Sequence, residues 1–332
     1  MSALDAGAQP VGADPSTPGR ARRVLITGGG GYVGRLLGTR LAAAGIPVVG
    51  TDLRARDDLP FPVLACDVRD RALAGILTRQ GITHVVHLAA VLEGGADRAR
   101  DHDIDVNGTR TVVECCLAGG VRHLTVSSSG AAYGYHADNP AWIDESQPLR
   151  ATEAFAYAWH KRLVEELLAG YRASHPGLAQ LVLRIGPVLG ATTDNQITAL
   201  FQRRRVLAVR GSEAPFAFIW DEDVVGAILH GVTGDRAGVF NVAGDGRMTI
   251  AEIARVLGKP VLALPAWGLV GGLWLARRAG VGRYGPEQVD FLRYRPVLSN
   301  RRLKAEFGYA PRRTSAEAFD VWVAGARARG AL

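Results

Sequence analysis

Tyr157-Ala158-Trp159-His160-Lys161 places a phenol and an ammonium at positions i and i+4. On a helix the two side chains share one face, about one turn apart. Only three lysines occur in the 332 residues (Lys161, Lys259 and Lys304), so a plain solvated helix face would be an unusual place for one of them. A phenol of pKa about 10 is a poor base until neighbouring positive charge favours phenolate. So tuned, Tyr157 exchanges a proton with a substrate hydroxyl or carbonyl oxygen. The run Ser127-Ser128-Ser129-Gly130-Ala131-Ala132-Tyr133-Gly134 offers a hydroxyl to orient that oxygen, provided a strand delivers it to the same place.

A second constellation reads as a dinucleotide cradle. Thr27-Gly28-Gly29-Gly30-Gly31-Tyr32-Val33-Gly34 fits T-G-x-x-G-x-x-G. Gly28 permits the tight turn after a strand, Gly31 lets backbone approach a pyrophosphate, and Gly34 allows close helix–strand packing. The helix opening at Tyr32 and Val33 aims its free N–H groups at the phosphates. Asp52, with Leu53 beside it, ends the next strand. There a carboxylate accepts from the ribose 2′- and 3′-hydroxyls and repels a 2′-phosphate, which favours NAD over NADP. Arg54 is the counter-signal, since a guanidinium receives phosphate. Asp67, followed by Val68, reads as a partner for the adenine amino group or as the cap of a helix starting near Arg69.

These groups need a scaffold. Strand-like apolar runs at 24–27, 47–52, 61–67, 83–90, 122–129 and 180–185 alternate with helical patterns over 32–44, 69–80, 105–118 and 153–174. Strands separated by crossover-length helices imply βαβ units and a doubly wound parallel sheet. We place this dinucleotide-binding domain at 23–190. Beyond it, short strands (205–209, 216–219, 239–242) and helices (221–232, 250–257, 287–293, 315–327) predict a smaller substrate-binding cap over 191–332, with some segments returning to the first domain. Residues 1–22, rich in Ala, Gly, Pro and Asp and without an apolar core, are predicted to be a disordered arm.

Composition removes several classes. The net charge of +7 comes from 39 Lys+Arg against 32 Asp+Glu, but the arginines are scattered, with small clusters at 20–23, 203–205 and 301–302. No basic stripe interleaved with aromatics appears, which argues against a nucleic-acid partner. No apolar run reaches the roughly 18–20 residues of a membrane span. The closest, at 262–276, reads mainly as cap core, with the lining of a lipophilic pocket as the other reading. Cys66, Cys115 and Cys116 lack metal-ligand spacing and read as buried small residues of a reduced, cytoplasmic protein with no metal.

The chain resembles the extended short-chain dehydrogenase/reductase superfamily, in its NAD-dependent epimerase/dehydratase branch. The resemblance runs from Arg23 to about Phe319 and is carried by TGGGGYVG, Asp52, Cys66-Asp67-Val68, His87-Leu88-Ala89-Ala90, Asp105-Val106-Asn107-Gly108-Thr109, SSSGAAYG, YAWHK, LRIGPVLG and Asn241-Val242-Ala243-Gly244. It implies a Rossmann-type sheet with a C-terminal α/β cap. Ser129 becomes the substrate-orienting hydroxyl and Tyr157 the acid/base. Lys161 binds the nicotinamide ribose and lowers the Tyr157 pKa. Leu53, Val68, Leu88, Ala89, Ala90 and Ser127 line the cofactor, and Pro187 flanks the nicotinamide. Asn107 steadies the active-site helix or a proton-relay water. Hydride passes to or from C4 of the ring. The helices at 105–118 and 153–174 would pair across a two-fold axis into a homodimer.

The departures concern substrate. Pro187 stands where sugar-nucleotide enzymes of this type carry Asn in R-x-x-N-x-x-G, and Phe216 stands where they carry the diphosphate-gripping Arg of R-x-F-V. Exchanging Arg for Phe removes bidentate phosphate recognition and adds apolar surface. Gly130-Ala131 replaces the Asp-Glu of dehydratases. The expectation is an NAD-dependent oxidoreductase acting on a secondary alcohol or ketone of a non-nucleotide, apolar small molecule. The alternatives are a sugar-nucleotide 4-epimerase and, in another class, a non-catalytic dinucleotide sensor or scaffold, against which the complete Ser-Tyr-Lys set argues.

Overall fold

Four buried residues start the fold: β1 (Val24–Thr27) has no exposed position. Its alternation divides the interior, because successive side chains of a strand point to opposite faces. Val24 and Ile26 enter one core and Leu25 the other. The computed structural model describes residues 21–92, 97–280 and 285–332. The predicted arm therefore lies outside the described residues but for its last two.

From β1 the chain runs through α1 (Tyr32–Ala43), β2 (Val48–Asp52), β3 (Val63–Ala65), α2 (Ala72–Arg79) and β4 (His84–His87). Then come α3 (Arg98–His102), a π-helical turn (Asp103–Asn107), α4 (Gly108–Ala118) and β5 (His123–Ser129). A 3-10 turn (Gly130–Tyr133) and α5 (Ala156–Ser174) lead to β6 (Ala179–Ile185). The chain next leaves the sheet through β7 (Val188–Leu189), α6 (Gln196–Gln202), β8 (Val206–Val209) and β9 (Ile219–Trp220), and returns by α7 (Asp221–Thr233) and β10 (Gly238–Val242). It ends with α8 (Ile250–Leu257), β11 (Val261–Leu264), α9 (Ala266–Arg278), α10 (Gln288–Arg293), a second π turn (Leu303–Phe307) and α11 (Ser315–Ala328).

Seven parallel strands form the central sheet in the order β3-β2-β1-β4-β5-β6-β10. The winding reverses between β1 and β4, and a crevice opens beyond the carboxyl ends of strands at such a point. The glycine loop leaves β1 there, and the serine run ends β5. The predicted strand at 239–242 is the seventh strand of this sheet, although it follows most of the first cap segments in sequence.

A third core, in the cap, is aromatic: Phe201, Phe216, Phe218, Phe319 and Trp322 are fully buried, with Phe216 stacked on Phe218 at 5.1 Å. The predicted strand at 216–219 shrinks to its end, Phe216 making only an isolated antiparallel bridge to Met248. Two-stranded sheets β8–β11 and β7–β9 complete the cap. The apolar stretch at 262–276 is not core. It forms β11 and α9, and no residue of α9 is buried. A helix that is apolar all round reads as buried from sequence alone, whereas here one side packs near α10 and the other is exposed.

Candidate active site

The cradle is built from backbone. Gly28 has φ +70°, and a Cβ there would lie 2.9 Å from the amide nitrogen of Ala89. At Gly34 a Cβ would lie 2.2 Å from the carbonyl oxygen of Gly28, so any side chain forces β1 and α1 apart. Gly31 is the N-cap of α1; no side chain accepts from the first turn, and no acidic residue stands in it. Those N–H groups remain for an anion. Asp52 closes the loop, accepting from the amide of Gly30 at 3.0 Å and from that of Leu53 at 2.7 Å. Each carboxylate oxygen keeps acceptor capacity for a ribose hydroxyl. A pyrophosphate and a diol both fit these residues.

Not every predicted cofactor residue contributes a side chain. The Tyr32 hydroxyl donates to Asp221 at 2.5 Å and accepts from Thr192 and Thr193, which leaves only its backbone to the loop. Val33 packs into the first core, and the Leu53 side chain is exposed. Asp67 accepts from the backbone of Arg69 at 2.9 Å and from its guanidinium at 2.7 Å, and this partner holds its pKa down. It closes a local turn and does not cap α2, which starts at Ala72 behind Arg71 with no side-chain cap. Val68 is buried under Gly108. Leu88 and Ala89 pass directly over Gly28, Ala89 donating to the Thr27 hydroxyl at 3.4 Å, and Ala90 follows them.

Ser129, Tyr157 and Lys161 converge at the end of β5. The Lys161 ammonium donates to the carbonyl of Ser127 at 2.8 Å and lies 5.8 Å from the centre of the Tyr157 ring. Two of its three protons stay available. The Ser127 hydroxyl donates to the carbonyl of His87 at 3.3 Å, bracing β5 on β4. Ser129 accepts from the amide of Ala131 at 3.1 Å. Burial raises the Tyr157 pKa; the Ser129 hydroxyl lowers it, and the charge of Asp105 raises it further. Burial pushes Lys161 down, while Asp105 and Glu165 oppose that. The phenol thus stands as a proton donor, raised by burial where a depression by Lys161 was expected.

The support behind these groups was not read from the sequence. Asp105, in the π turn, accepts from the amide of Val91 and from His160 Nδ1, both at 2.8 Å. It clamps α5 at the residue before Lys161, and π turns are frequent at such sites. Asn107 does not reach α5; its amide donates to Asp103 at 2.8 Å on the exposed side. One turn beyond Lys161, Glu165 accepts from the Ser128 hydroxyl at 2.5 Å and from the Arg184 guanidinium at 2.8 and 3.0 Å. Arg184 also donates to the Tyr133 hydroxyl at 2.7 Å, which donates to Asn241 at 2.9 Å. This buried chain ties α5, β5, β6 and β10 together. His87, between Thr27 and Thr109, has its pKa pushed down to about 3 by burial and is neutral.

An aromatic cluster stands close to the start of α5. Tyr135 meets Phe155 at 4.7 Å and Phe291 at 5.3 Å between ring centres. Phe291 and Phe216 hold the Arg295 guanidinium at 4.9 and 3.9 Å. Arg295 donates to the carbonyl of Ala214 at 2.7 Å, its Nε has no partner, and burial pushes its pKa down to about 9. Pro187 follows β6, its carbonyl accepting from Ile219 at 3.0 Å.

A seven-stranded parallel sheet with a glycine cradle at its switch point and a buried Tyr–Lys pair beside it defines a dinucleotide-binding enzyme of short-chain dehydrogenase/reductase type. The profile of the NAD dependent epimerase/dehydratase family matches residues 24–243, and the chain belongs to that family. Its cofactor is therefore NAD. UDP-glucose 4-epimerase of Streptomyces lividans is 32% identical over 179 residues, covering 51% of this chain and 53% of that one. Among solved structures, the NAD complex of Thermus thermophilus UDP-glucose 4-epimerase superimposes with a TM-score of 0.69 at 25% identity, covering 90% of this chain and 99% of that one. A short-chain dehydrogenase/reductase superfamily protein from Agrobacterium tumefaciens with bound NAD gives 0.72 at 23% identity, covering 93% and 98%.

Asp52→Ala is expected to weaken NAD binding about tenfold, the loss of a hydrogen bond to a charged acceptor, and to narrow the preference over NADP. Calorimetric titration with both dinucleotides checks this. Unchanged affinities would remove Asp52 from the cradle.

Proposed function

We propose that the protein is an NAD-dependent oxidoreductase acting at a secondary alcohol or ketone, with Tyr157 as acid/base. The convergence of Ser129, Tyr157 and Lys161 at the end of β5 carries this reading. Bound NAD would accept or donate the hydride at C4 and, when oxidised, add positive charge beside Tyr157. Ser129 orients the substrate oxygen by hydrogen bonding. Tyr157 gives that oxygen a proton in reduction and takes it back in oxidation. Lys161, fixed by the Ser127 carbonyl, holds ribose hydroxyls with its remaining protons and keeps positive charge near the phenol. Gly28, Gly31 and Gly34 admit the pyrophosphate, Asp52 the adenosine ribose, and Pro187 flanks the ring.

An apolar substrate is favoured by the wall of Tyr135, Phe155 and Phe291, and a non-nucleotide one by the lack of a diphosphate-gripping Arg at position 216, where the Phe216 ring itself is buried in the cap core. Sugar-nucleotide epimerisation is the second reading. It is favoured by Arg295, a buried guanidinium with a vacant Nε and no carboxylate partner among the described residues, and by the relatives' names. Thermal shift and turnover in the presence of NAD decide between them. UDP- and TDP-sugars are expected to leave the melting temperature unchanged, while a panel of apolar secondary alcohols yields NADH. Clear stabilisation by any nucleotide sugar overturns the substrate assignment. We infer further that α4 and α5 pair in a homodimer, a state light scattering reads directly.

A further inference from the structure

Helix α9 turns an apolar stripe to solvent. Trp267, Val270, Trp274 and Leu275 are 80%, 40%, 54% and 62% exposed. Separations of three, four, seven and eight residues put them on one side of a helix. Ala266, Leu269, Leu273 and Ala276 are half-buried on the other side, where α10 packs. Single exposed apolar residues are ordinary, but two tryptophans and two aliphatics on one short helix make a patch.

Charge says what the patch meets. The sequence has no acidic residue between Glu252 and Glu287, yet this stretch carries Arg255, Lys259, Arg277 and Arg278. Arg278 lies over the Trp274 ring at 5.7 Å, and Arg277 reaches Glu287 only at 3.8 Å. The strand feeding α9, β11, pairs with β8, whose entry carries Arg203, Arg204 and Arg205. These three arginines are exposed, form no ion pair among the described residues, and line an open hollow with Leu207, Pro260 and Leu262. Val261 beside them is 44% exposed.

We propose that this face docks on an anionic lipid bilayer, with α9 lying in the plane of the interface. Trp267 and Trp274 sit at headgroup depth, where amphipathic indoles are enriched. Arg277, Arg278 and the Arg203 to Arg205 cluster meet lipid phosphates. At 13 residues α9 is roughly 20 Å long, against a hydrocarbon core of about 30 Å, so it lies on the membrane and does not cross it. A parallel two-fold contact through the stripe would bring Arg277 and Arg278 near their own copies, whereas anionic phosphates complement them. Docking would also place the substrate wall close to lipid, because α10 beside α9 carries Phe291, and its neighbour Glu287 meets Arg277.

The test uses the full chain and vesicles of phosphatidylcholine, with or without phosphatidylglycerol. Co-sedimentation with the anionic vesicles only, weakened by salt, and quenching of tryptophan fluorescence by brominated acyl chains are the expected results. Trp267→Ser with Trp274→Ser should reduce the bound fraction about tenfold and abolish the quenching. Arg277→Gln with Arg278→Gln should weaken binding while melting and NAD affinity stay unchanged. Absence of binding to anionic vesicles overturns the proposal, as does unaltered binding by the tryptophan variant. So does a change of oligomeric state in that variant, which would assign the stripe to a second copy. These readouts involve no substrate, so their failure leaves the catalytic assignment untouched.

Discussion

Tyr157→Phe is expected to lower kcat by about 10²- to 10⁴-fold while leaving NAD affinity within a factor of about two. The change removes one oxygen and keeps the ring, so the aromatic packing and the 5.8 Å spacing to Lys161 survive. What disappears is the proton path to the substrate oxygen. In the wild-type protein, burial raises the Tyr157 pKa, which makes the protonated phenol the resting form. Reduction, which consumes that proton, should therefore hold its rate up to higher pH than an ordinary phenol allows. Oxidation should gain rate as pH rises toward the Tyr157 pKa. Single-turnover kinetics with an identified alcohol or ketone would measure both limbs. If the phenylalanine variant keeps full turnover, Tyr157 is not the acid/base.

Arg184→Ala should be the most destabilising change at the site, by about 3–5 kcal/mol, because it strands the Glu165 carboxylate below the surface. Glu165 accepts from Arg184 and Ser128 in a region where both members of the ion pair are less than a tenth exposed. The guanidinium also stacks over the Tyr133 ring at 4.9 Å, so packing is lost with the charge. Denaturant unfolding measures the loss. Glu165→Gln in the Arg184→Ala background should recover part of it, since a neutral amide is cheaper to bury than an unpaired carboxylate. A loss below about 1 kcal/mol in the single variant would mean that solvent reaches the pair, as at surface ion pairs.

The parts of the site legible in the sequence were those whose constraint is local. Glycines 28, 31 and 34 answer to a turn, an approach and a packing distance within eight residues, and Tyr157 and Lys161 to one helical turn. The alternation of strands and helices was legible for the same reason. Asp105 and His160 stood inside quoted motifs, but their contact joins residues 55 apart and has no signature in spacing. The Glu165–Arg184 pair could not be foreseen either, since it requires knowing that β6 lies beside α5. Phe216 illustrates the opposite error. As an apolar exchange it suggested a substrate surface, whereas the ring is buried in the cap core against Phe201 and Phe218, with the Arg295 guanidinium over it. In α9, apolar residues on every side hid which stripe would be left uncovered.

The position of β10 bears on how the molecule can be divided. Its residues Gly238 to Val242 run alongside Leu181 to Ile185 of β6, after an excursion of some fifty residues through the cap. A chain cut after Gly190 would leave β6 as a raw outer strand, its amides and carbonyls open to any passing strand. It would also lose Asn241, the far end of the hydrogen-bonded chain behind the serine run. The nucleotide half is therefore not a module that can be lifted out. Its last strand is donated from beyond the first cap segments, so the sheet is finished only after the chain has entered the cap and come back.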